Sequence, residues 1–340
     1  MERLQTISSH FASSQILISK KDGKCPDDVV ICSALRTCLS KAKRGPLRDT
    51  AQEVMLAEVL KEILKQTKVD PSLVSDLIVG NVLQPGAGAV QARAAQLIAG
   101  FPHTTTAVAI NRLCSSGIEA ISMVASKIKS GTIDIGIGAG TESMTQYSLP
   151  EGRYPKLDDE MFTCADVKSA YIPDGMTSEN VVKKFGMTRK ELDEYACNSH
   201  LKAAHARKTG LFKSEIVPIK AKVKGKDGKE EIELAHEDGG IRANSTVEAL
   251  GKLKPAFQKN GWTTGGSSSQ LTDGAAAVLL ARRSVAEKLG LPILAKFVTY
   301  ATAGCPPEIM GKFSFVFIKK RRRAGLCYSR MFEKGRFECE

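Results

Sequence analysis

One cysteine stands where a chain could present a nucleophile. Cys114 follows the apolar run "TTTAVAINRL" and precedes "SSGIEAISMVASKIKSG", and these patterns predict a strand before it and a helix after it. The N-terminus of a helix stabilises a thiolate, and the small residues Ser115, Ser116 and Gly117 leave room for an acyl group. Backbone N–H groups at such a turn can hold an oxyanion. Cys114 is therefore a candidate nucleophile, and a small buried cysteine is the alternative.

A cysteine nucleophile needs a base, which is usually a histidine. The sequence contexts of the five histidines identify none of them as that base: His10, His103, His200, His205 and His236. Five other cysteines are interpreted as buried packing residues: Cys32, Cys38, Cys164, Cys197 and Cys305.

Composition narrows the class of protein. Hydrophobic residues make up 42% of the 340 residues, as in soluble globular domains, and no apolar run reaches the roughly 18 residues of a membrane span. The nine cysteines include no CxxC pair and no zinc-ligand spacing, which favours free thiols in a reducing compartment. We therefore expect neither a membrane span, nor disulfides, nor a metal site.

Charge indicates the kind of ligand. The formal net charge is +12, and half of it lies in residues 312–340, which hold nine Lys or Arg against three Glu. The rest of the chain is mildly basic, which suits an anionic small molecule. Aromatic residues make up only 6%, so stacking platforms for nucleic acid are not indicated. We expect no nucleic-acid partner; a targeting role for the run "KKRRR" is the alternative.

Strands and helices alternate around the candidate nucleophile. Apolar strand patterns such as "DVVICSALRT" and "SDLIVGNVL" are separated by amphipathic helical patterns, which predicts an α/β fold with parallel strands. Two capping boxes, Thr50 with Glu53 and Thr188 with Glu191, predict the starts of two helices. The helix after the cysteine carries an apolar stripe that must pack against another element: Ile118, Ile121, Val124, Ala125 and Ile128.

A series of motifs between about Asp28 and Gly311 resembles one known family. In chain order the motifs are "GNVLQPGAGA", "NRLCSSG", "GAGTESM", "MTSENV", "KLKPAF", "SSQLTDGAAA" and "PPEIMG". They resemble the thiolase family, and most of all its peroxisomal 3-ketoacyl-CoA branch. Chance does not produce so many motifs in the family's order.

The resemblance implies a fold of two similar βαβαβαββ halves in five layers, with a loop domain inserted in the first half, and a homodimer. It implies cleavage of 3-ketoacyl-CoA by CoA in fatty-acid β-oxidation, with CoA as substrate and no further cofactor. Cys114 would be the nucleophile that carries the acyl group. Ser269 would be the substrate-binding serine that contacts the pantetheine arm, and the loop domain would hold the CoA nucleotide.

The same resemblance divides the chain. The expected parts are a targeting leader 1–27, a core domain 28–145 plus 262–290, an inserted loop domain 146–261, the start of a second core domain 291–311, and an atypical basic tail 312–340. Within the leader, Arg3-Leu4 and His10-Phe11 match an N-terminal peroxisomal address, a receptor-read targeting segment. We therefore expect a peroxisomal location and an import receptor as a partner.

Three motifs of the family's second half are absent from this sequence. They are a GHP histidine that activates the nucleophile, a CxG cysteine that acts as acid and base, and an NEAF asparagine of the oxyanion hole. We expect this chain to be nearly inert on its own, because loss of a base or of an oxyanion donor lowers a rate by orders of magnitude. A largely missing second half would also expose the apolar stripe.

Two other functions remain open. The first is a catalytically impaired subunit that binds CoA or pairs with a full-length thiolase as a heterodimer. The second is a different cysteine enzyme, such as an acyl-CoA hydrolase that uses Cys114 alone.

Overall fold

The computed structural model describes residues 23–147, 158–225, 228–302 and 304–310. Most of the predicted leader and the basic tail therefore lie outside the described residues. The strands are β1 Val29–Arg36, β2 Ser40–Lys41, β3 Asp76–Gly80, β4 Thr106–Ile110, β5 Ile135–Ser143, β6 Ile219–Lys224, β7 Glu230–Ala235, β8 Thr272–Arg282 and β9 Ala295–Lys296. The helices are α1 Gln52–Thr67, α2 Ala89–Ile98, α3 Ser116–Lys129, α4 Ala165–Ala170, α5 Asp174–Phe185, α6 Arg189–Thr209, α7 Val247–Gly251 and α8 Arg283–Lys288. In these ranges no helix is long and apolar enough to cross a membrane.

A seven-stranded mixed sheet forms the core. Its strand order is β4–β3–β5–β8–β1–β9, and β2 pairs with β8. Along the chain, β1, α1, β3, α2, β4, α3, β5 and β8 follow the predicted βαβαβαββ order, and the inserted segment lies between β5 and β8.

Strand direction differs from the prediction at one side of the sheet. β3 pairs in parallel with β4 and β5, as expected, but β8 runs antiparallel to both β5 and β1. The prediction of parallel pairing is therefore wrong for β8 and β1. Helical crossovers enforce parallel pairing, whereas β8 follows the long insertion and its direction is free of that constraint.

The apolar stripe of α3 packs on this sheet. Val124, Ala125 and Ile128 are fully buried, and Ile121 packs against the same cluster. Ile118, in the first turn, is 48% exposed. The expectation of an exposed stripe is therefore wrong for most of its length, because the sheet of the same chain covers it.

Glycines let α3 approach the sheet closely. A Cβ on Gly138 of β5 would lie 2.6 Å from the Cα of Ile121, and a Cβ on Gly80 of β3 would lie 2.5 Å from the carbonyl carbon of Ser116. Packed atoms do not come so close, so both positions require glycine. Gly140 differs, because a Cβ there would meet its nearest atoms at 3.5 Å, an ordinary contact.

The hairpin β6–β7 of the inserted segment packs against the core. Inward-facing residues of β6 belong to the main buried cluster. Arg36, at the end of β1, donates hydrogen bonds to both carboxylate oxygens of Asp238 at 2.7 and 2.9 Å, and to Glu215 at 2.8 Å. The Leu39 N–H donates to Asp238 at 2.8 Å. The hairpin is thus joined to the core sheet, and the boundaries 146–261 stay a prediction.

Gly138→Ala tests the close approach of α3. Its methyl group would push against Ile121, so we expect the free energy of unfolding to fall by about 1–3 kcal/mol. Gly140→Ala is the matched control, and we expect a smaller loss because its methyl group has room. Urea denaturation followed by circular dichroism measures both. Equal stability of the two variants would contradict the packing described above.

Asp238→Asn tests the hydrogen bonds that Asp238, just after the hairpin, accepts from Arg36 and Leu39. Burial raises the pKa of Asp238, but the hydrogen bonds from Arg36 and Leu39 outweigh it and leave the pKa below its usual value of 3.8. Such a carboxylate stabilises the fold above its unfolded pKa, and this contribution is lost as pH falls through the folded pKa. We expect the variant to be less stable than wild type by about 1–3 kcal/mol at pH 7. The difference should shrink below about pH 4.

Urea denaturation at pH 7 and at pH 3 measures this difference. A loss of the same size at both pH values would show that the ionised carboxylate is not what holds the hairpin.

Candidate active site

Side-chain hydrogen bonds brace the turn that holds Cys114. Asn111 Oδ1 accepts the N–H of Leu113 at 2.8 Å. Ser116 Oγ accepts the N–H of Arg112 at 2.8 Å and donates to the carbonyl oxygen of Leu113 at 2.6 Å. Cys114 itself is exposed. The backbone on both sides of the thiol is therefore held while the sulfur stays accessible.

The turn contains a left-handed residue immediately before the cysteine. Leu113 has φ 49°, a conformation that costs a residue with a side chain about 1–2 kcal/mol. Helix α3 starts two residues after Cys114, with Ser115 at its N-cap. The thiol thus lies at the predicted junction of strand and helix, on a sharp turn that the surrounding hydrogen bonds maintain.

Strand register places both predicted site residues at one edge of the sheet. β4 and β5 run parallel to β3, so the carboxyl ends of these three strands share an edge. β8 runs antiparallel, and Asp273 near its start pairs with Ser143 at the end of β5. Cys114 follows β4, and the exposed Ser269 precedes β8. The fold therefore places at one edge of the sheet two residues that are far apart in sequence, with β3 and β5 between their strands.

A buried polar cluster supports this edge. Glu142 Oε2 accepts the N–H of Val82 at 2.9 Å, and Asn81 Nδ2 donates to Gln52 Oε1 at 2.7 Å and to Glu142 Oε1 at 3.2 Å. Burial raises the pKa of Glu142, and the hydrogen bonds from Val82 and Asn81 offset this only in part. Asn111 Nδ2 donates to the Val82 carbonyl oxygen at 3.0 Å. The cluster is thereby linked to the turn of the candidate nucleophile.

The other described cysteines differ in exposure. Cys32, Cys38 and Cys197 are buried, as predicted, and burial raises the pKa of the Cys32 thiol to about 12 and that of Cys38 to about 11. Cys305 is half-buried and Cys164 is exposed. The prediction of burial is wrong for these two; Cys164 occupies the N-cap position of the short helix α4, where its side chain faces solvent.

No hydrogen bond in the described ranges joins a histidine to the thiol. His200 accepts a backbone N–H and His236 contacts a backbone carbonyl, both within the inserted segment. His103 and His205 are exposed. The same ranges contain no group of three or more His, Cys, Asp or Glu arranged to hold a metal ion.

One cluster beside the turn was not predicted from the sequence. Glu119 Oε2 lies 2.9 Å from Arg112 Nε and accepts a hydrogen bond from the Tyr300 hydroxyl at 2.7 Å. The opposite charges of Arg112 and Glu119 near the start of a predicted helix are a local signal that could have suggested this pair. Tyr300 is 181 residues from Glu119, so no local pattern could have linked them.

Comparison with known proteins identifies the family. The sequence model described as "Thiolase, N-terminal domain" matches residues 29–284. This chain belongs to the thiolase family. Among relatives of this thiolase, the peroxisomal 3-ketoacyl-CoA thiolase of Yarrowia lipolytica is 47% identical over 92% of the chain and 75% of the relative. The peroxisomal 3-ketoacyl-CoA thiolase B of Candida tropicalis is 45% identical over 96% of the chain and 79% of the relative.

Solved structures give the same result. The dimeric peroxisomal thiolase of Saccharomyces cerevisiae matches this thiolase with a TM-score of 0.80 and 41% identity, over 89% of this chain and 77% of that one. Human mitochondrial 3-ketoacyl-CoA thiolase matches with a TM-score of 0.72 and 33% identity, over 85% and 74%. The thiolase fold predicted from the ordered motifs is confirmed.

Leu113→Gly and Leu113→Ala together test the strain in the turn. Both remove the same exposed side chain, but only glycine adopts a positive φ without strain. We expect the glycine variant to have the higher free energy of unfolding, by about 0.5–1 kcal/mol. Urea denaturation of the two variants measures the difference. An alanine variant as stable as the glycine variant would mean that the left-handed backbone carries no strain.

Proposed function

We propose that this thiolase transfers acyl groups from 3-ketoacyl-CoA to CoA through a thioester on Cys114. The thiolate attacks the keto carbon at C3, the C2–C3 bond breaks, and the electron pair leaves on C2, which takes up a proton to give acetyl-CoA. The sulfur of CoA then attacks the acyl thioester, and the Cys114 thiolate leaves. One 3-ketoacyl-CoA and one CoA thus give acetyl-CoA and a shortened acyl-CoA, in fatty-acid β-oxidation.

The observation that carries this proposal is the setting of the thiol in a chain of this family. Cys114 is exposed on a braced turn before α3, and small residues follow it. The first turn of a helix favours the thiolate and provides N–H groups for a developing oxyanion. Ser269, at the same edge of the sheet, is exposed and is proposed to contact the pantetheine arm of CoA.

The inserted segment is proposed to bind the nucleotide end of CoA. Exposed lysines on α5 and α6 support this, because ammonium groups attract the phosphates of CoA: Lys183, Lys184, Lys190, Lys202 and Lys208. CoA is a substrate in this scheme, and no further cofactor is proposed.

Assembly as a homodimer is part of the proposal. A relative of this thiolase is described as dimeric. β4 ends the strand order on its side of the described sheet, so one row of its backbone groups is free to pair with another chain. Val108 on β4 is 40% exposed, and the neighbouring α2 exposes Val90 by 79% and Ile98 by 51%. A second copy of the chain would cover this apolar surface.

A peroxisomal location is also proposed. The relatives from Yarrowia lipolytica and Candida tropicalis are named as peroxisomal. The address formed by Arg3-Leu4 and His10-Phe11 lies outside the described residues, and an import receptor is its proposed reader.

The test is a thiolysis assay of the purified chain with acetoacetyl-CoA and a medium-chain 3-ketoacyl-CoA, each with CoA, combined with mass spectrometry of the intact protein. Because the GHP, CxG and NEAF motifs are absent, we expect an acyl adduct on Cys114 and only slow turnover, both lost in Cys114→Ala. Cys164→Ala, which removes another exposed thiol, is the control and should behave as wild type. No turnover and no adduct from the folded wild-type chain would overturn the proposal.

A further inference from the structure

A polar cluster ties the Cys114 turn to two other parts of the thiolase. Arg112 lies two residues before the thiol, and Glu119 lies in α3 five residues after it. The carboxylate of Glu119 is largely buried, with 14% of its side chain exposed, and pairs with Arg112 Nε at 2.9 Å. The same oxygen accepts the Tyr300 hydroxyl at 2.7 Å.

The ion pair between Arg112 and Glu119 links the two ends of the turn through their side chains. The braces from Asn111 and Ser116 act on the backbone of the turn, whereas the pair between Arg112 and Glu119 joins the residue before the strained Leu113 to the helix after it. Two groups on either side of a strained segment that bind each other oppose its relaxation.

Tyr300 joins Glu119 to a segment that is distant in sequence. It follows β9, and Phe297 in the same segment packs against the buried face of α3. The hydrogen bond to Glu119 raises the pKa of the Tyr300 hydroxyl, with burial as a second cause, so the hydroxyl keeps its proton and remains a donor. Oε2 of Glu119 is therefore held by an ion pair with Arg112 and by a hydrogen bond from Tyr300.

We propose that Glu119 and Tyr300 are positioning residues that hold the Cys114 turn at the N-terminus of α3. Their functional meaning rests on the proposed role of Cys114 as the acyl carrier. In the described residues no hydrogen bond joins either of them to the sulfur, and both are proposed to act through Arg112 and the backbone of the turn. When the cluster is broken, the turn relaxes and the thiol moves away from the helix end that favours its anion.

A purely electrostatic role of Glu119 predicts the opposite result. A carboxylate near a thiol disfavours the thiolate, so removal of the charge alone would speed the reaction of Cys114 with an electrophile. Alanine and glutamine at position 119 remove this charge equally. Only glutamine retains an oxygen that can accept the Tyr300 hydroxyl and lie beside Arg112, so the two variants separate position from charge.

The experiment measures alkylation of Cys114 by iodoacetamide in the full chain at pH 7, by mass spectrometry of the peptide, with the exposed Cys164 as internal reference. We expect Glu119→Ala to lower the second-order rate constant by about threefold to tenfold. Glu119→Gln should stay within about twofold of wild type. Tyr300→Phe should be slower than wild type, and the double variant Glu119→Ala with Tyr300→Phe should be no slower than Glu119→Ala.

Two control variants make the same Glu→Ala and Tyr→Phe changes at other positions. Glu58→Ala removes the surface ion pair with Lys61, and Tyr195→Phe removes the hydroxyl of a tyrosine that is 59% exposed; both should leave the rate unchanged. Thermal unfolding checks that each variant is folded. If Glu119→Ala does not fold, the single variants Tyr300→Phe and Glu119→Gln still test the proposal.

Three outcomes overturn the proposal: a rate in Glu119→Ala at or above that of wild type, equal rates in the two Glu119 variants, or an unchanged rate in Tyr300→Phe. Alkylation requires no acyl transfer. The expected alkylation pattern without an acyl adduct on Cys114 would therefore contradict only the proposed function. An acyl adduct without the expected alkylation pattern would contradict only this inference.

Discussion

The missing Cβ atoms between α3 and the sheet are the constraint on which the site depends. Gly80 ends β3 directly beneath Ser116, and Gly138 lies beneath Ile121, with distances that leave no room for a side chain. Packed interiors adjust to added volume only in part, so a bulkier residue at either place would lift the first turn of α3. The thiol two residues before that turn would move with it. Packing inside the sheet thus decides where the sulfur lies at its edge.

Hydrogen bonds hold the turn that precedes α3. The helix is held by burial of its inner face, whereas the turn before it contains few apolar contacts and is held by hydrogen bonds from Asn111 and Ser116. Asn111 also connects the turn to Val82, whose N–H is held by Glu142. The bonds of Asn111 are exposed, whereas those of Ser116 and Glu142 are partly buried, where an unpaired polar group is costly. The exposed thiol therefore lies on a turn that several hydrogen bonds hold in place.

Local signals in the sequence predicted the local structure well. The thiol lies between a strand and a helix as expected, and Thr188 caps α6 with Glu191 in the predicted capping box. The box at Thr50 does not form; α1 starts at Gln52, and the Thr50 hydroxyl is buried with no partner in the described part of the chain. Gln52 is engaged instead in the buried cluster at the sheet edge, a tertiary contact that outweighs the local pattern. The direction of β8 and the bond from Tyr300 had no signal for the same reason, since both join segments far apart in sequence. The ordered motifs identified the thiolase fold because they record such distant relations indirectly.

The pairing of β5 with β8 has a consequence for how this fold can diversify. The two strands pair along the whole of β5, from Ile135 opposite Ala281 to Ser143 opposite Asp273, and form a closed neck below the inserted segment of roughly 130 residues. The entropic cost of closing a loop grows only with the logarithm of its length, so doubling such an insert costs about 0.6 kcal/mol. The neck therefore lets the length of the insert change at little entropic cost, provided that the hairpin β6–β7 keeps its contacts with the core. Stretches of the insert outside this hairpin can become longer or shorter while the sheet and the cysteine turn keep their geometry.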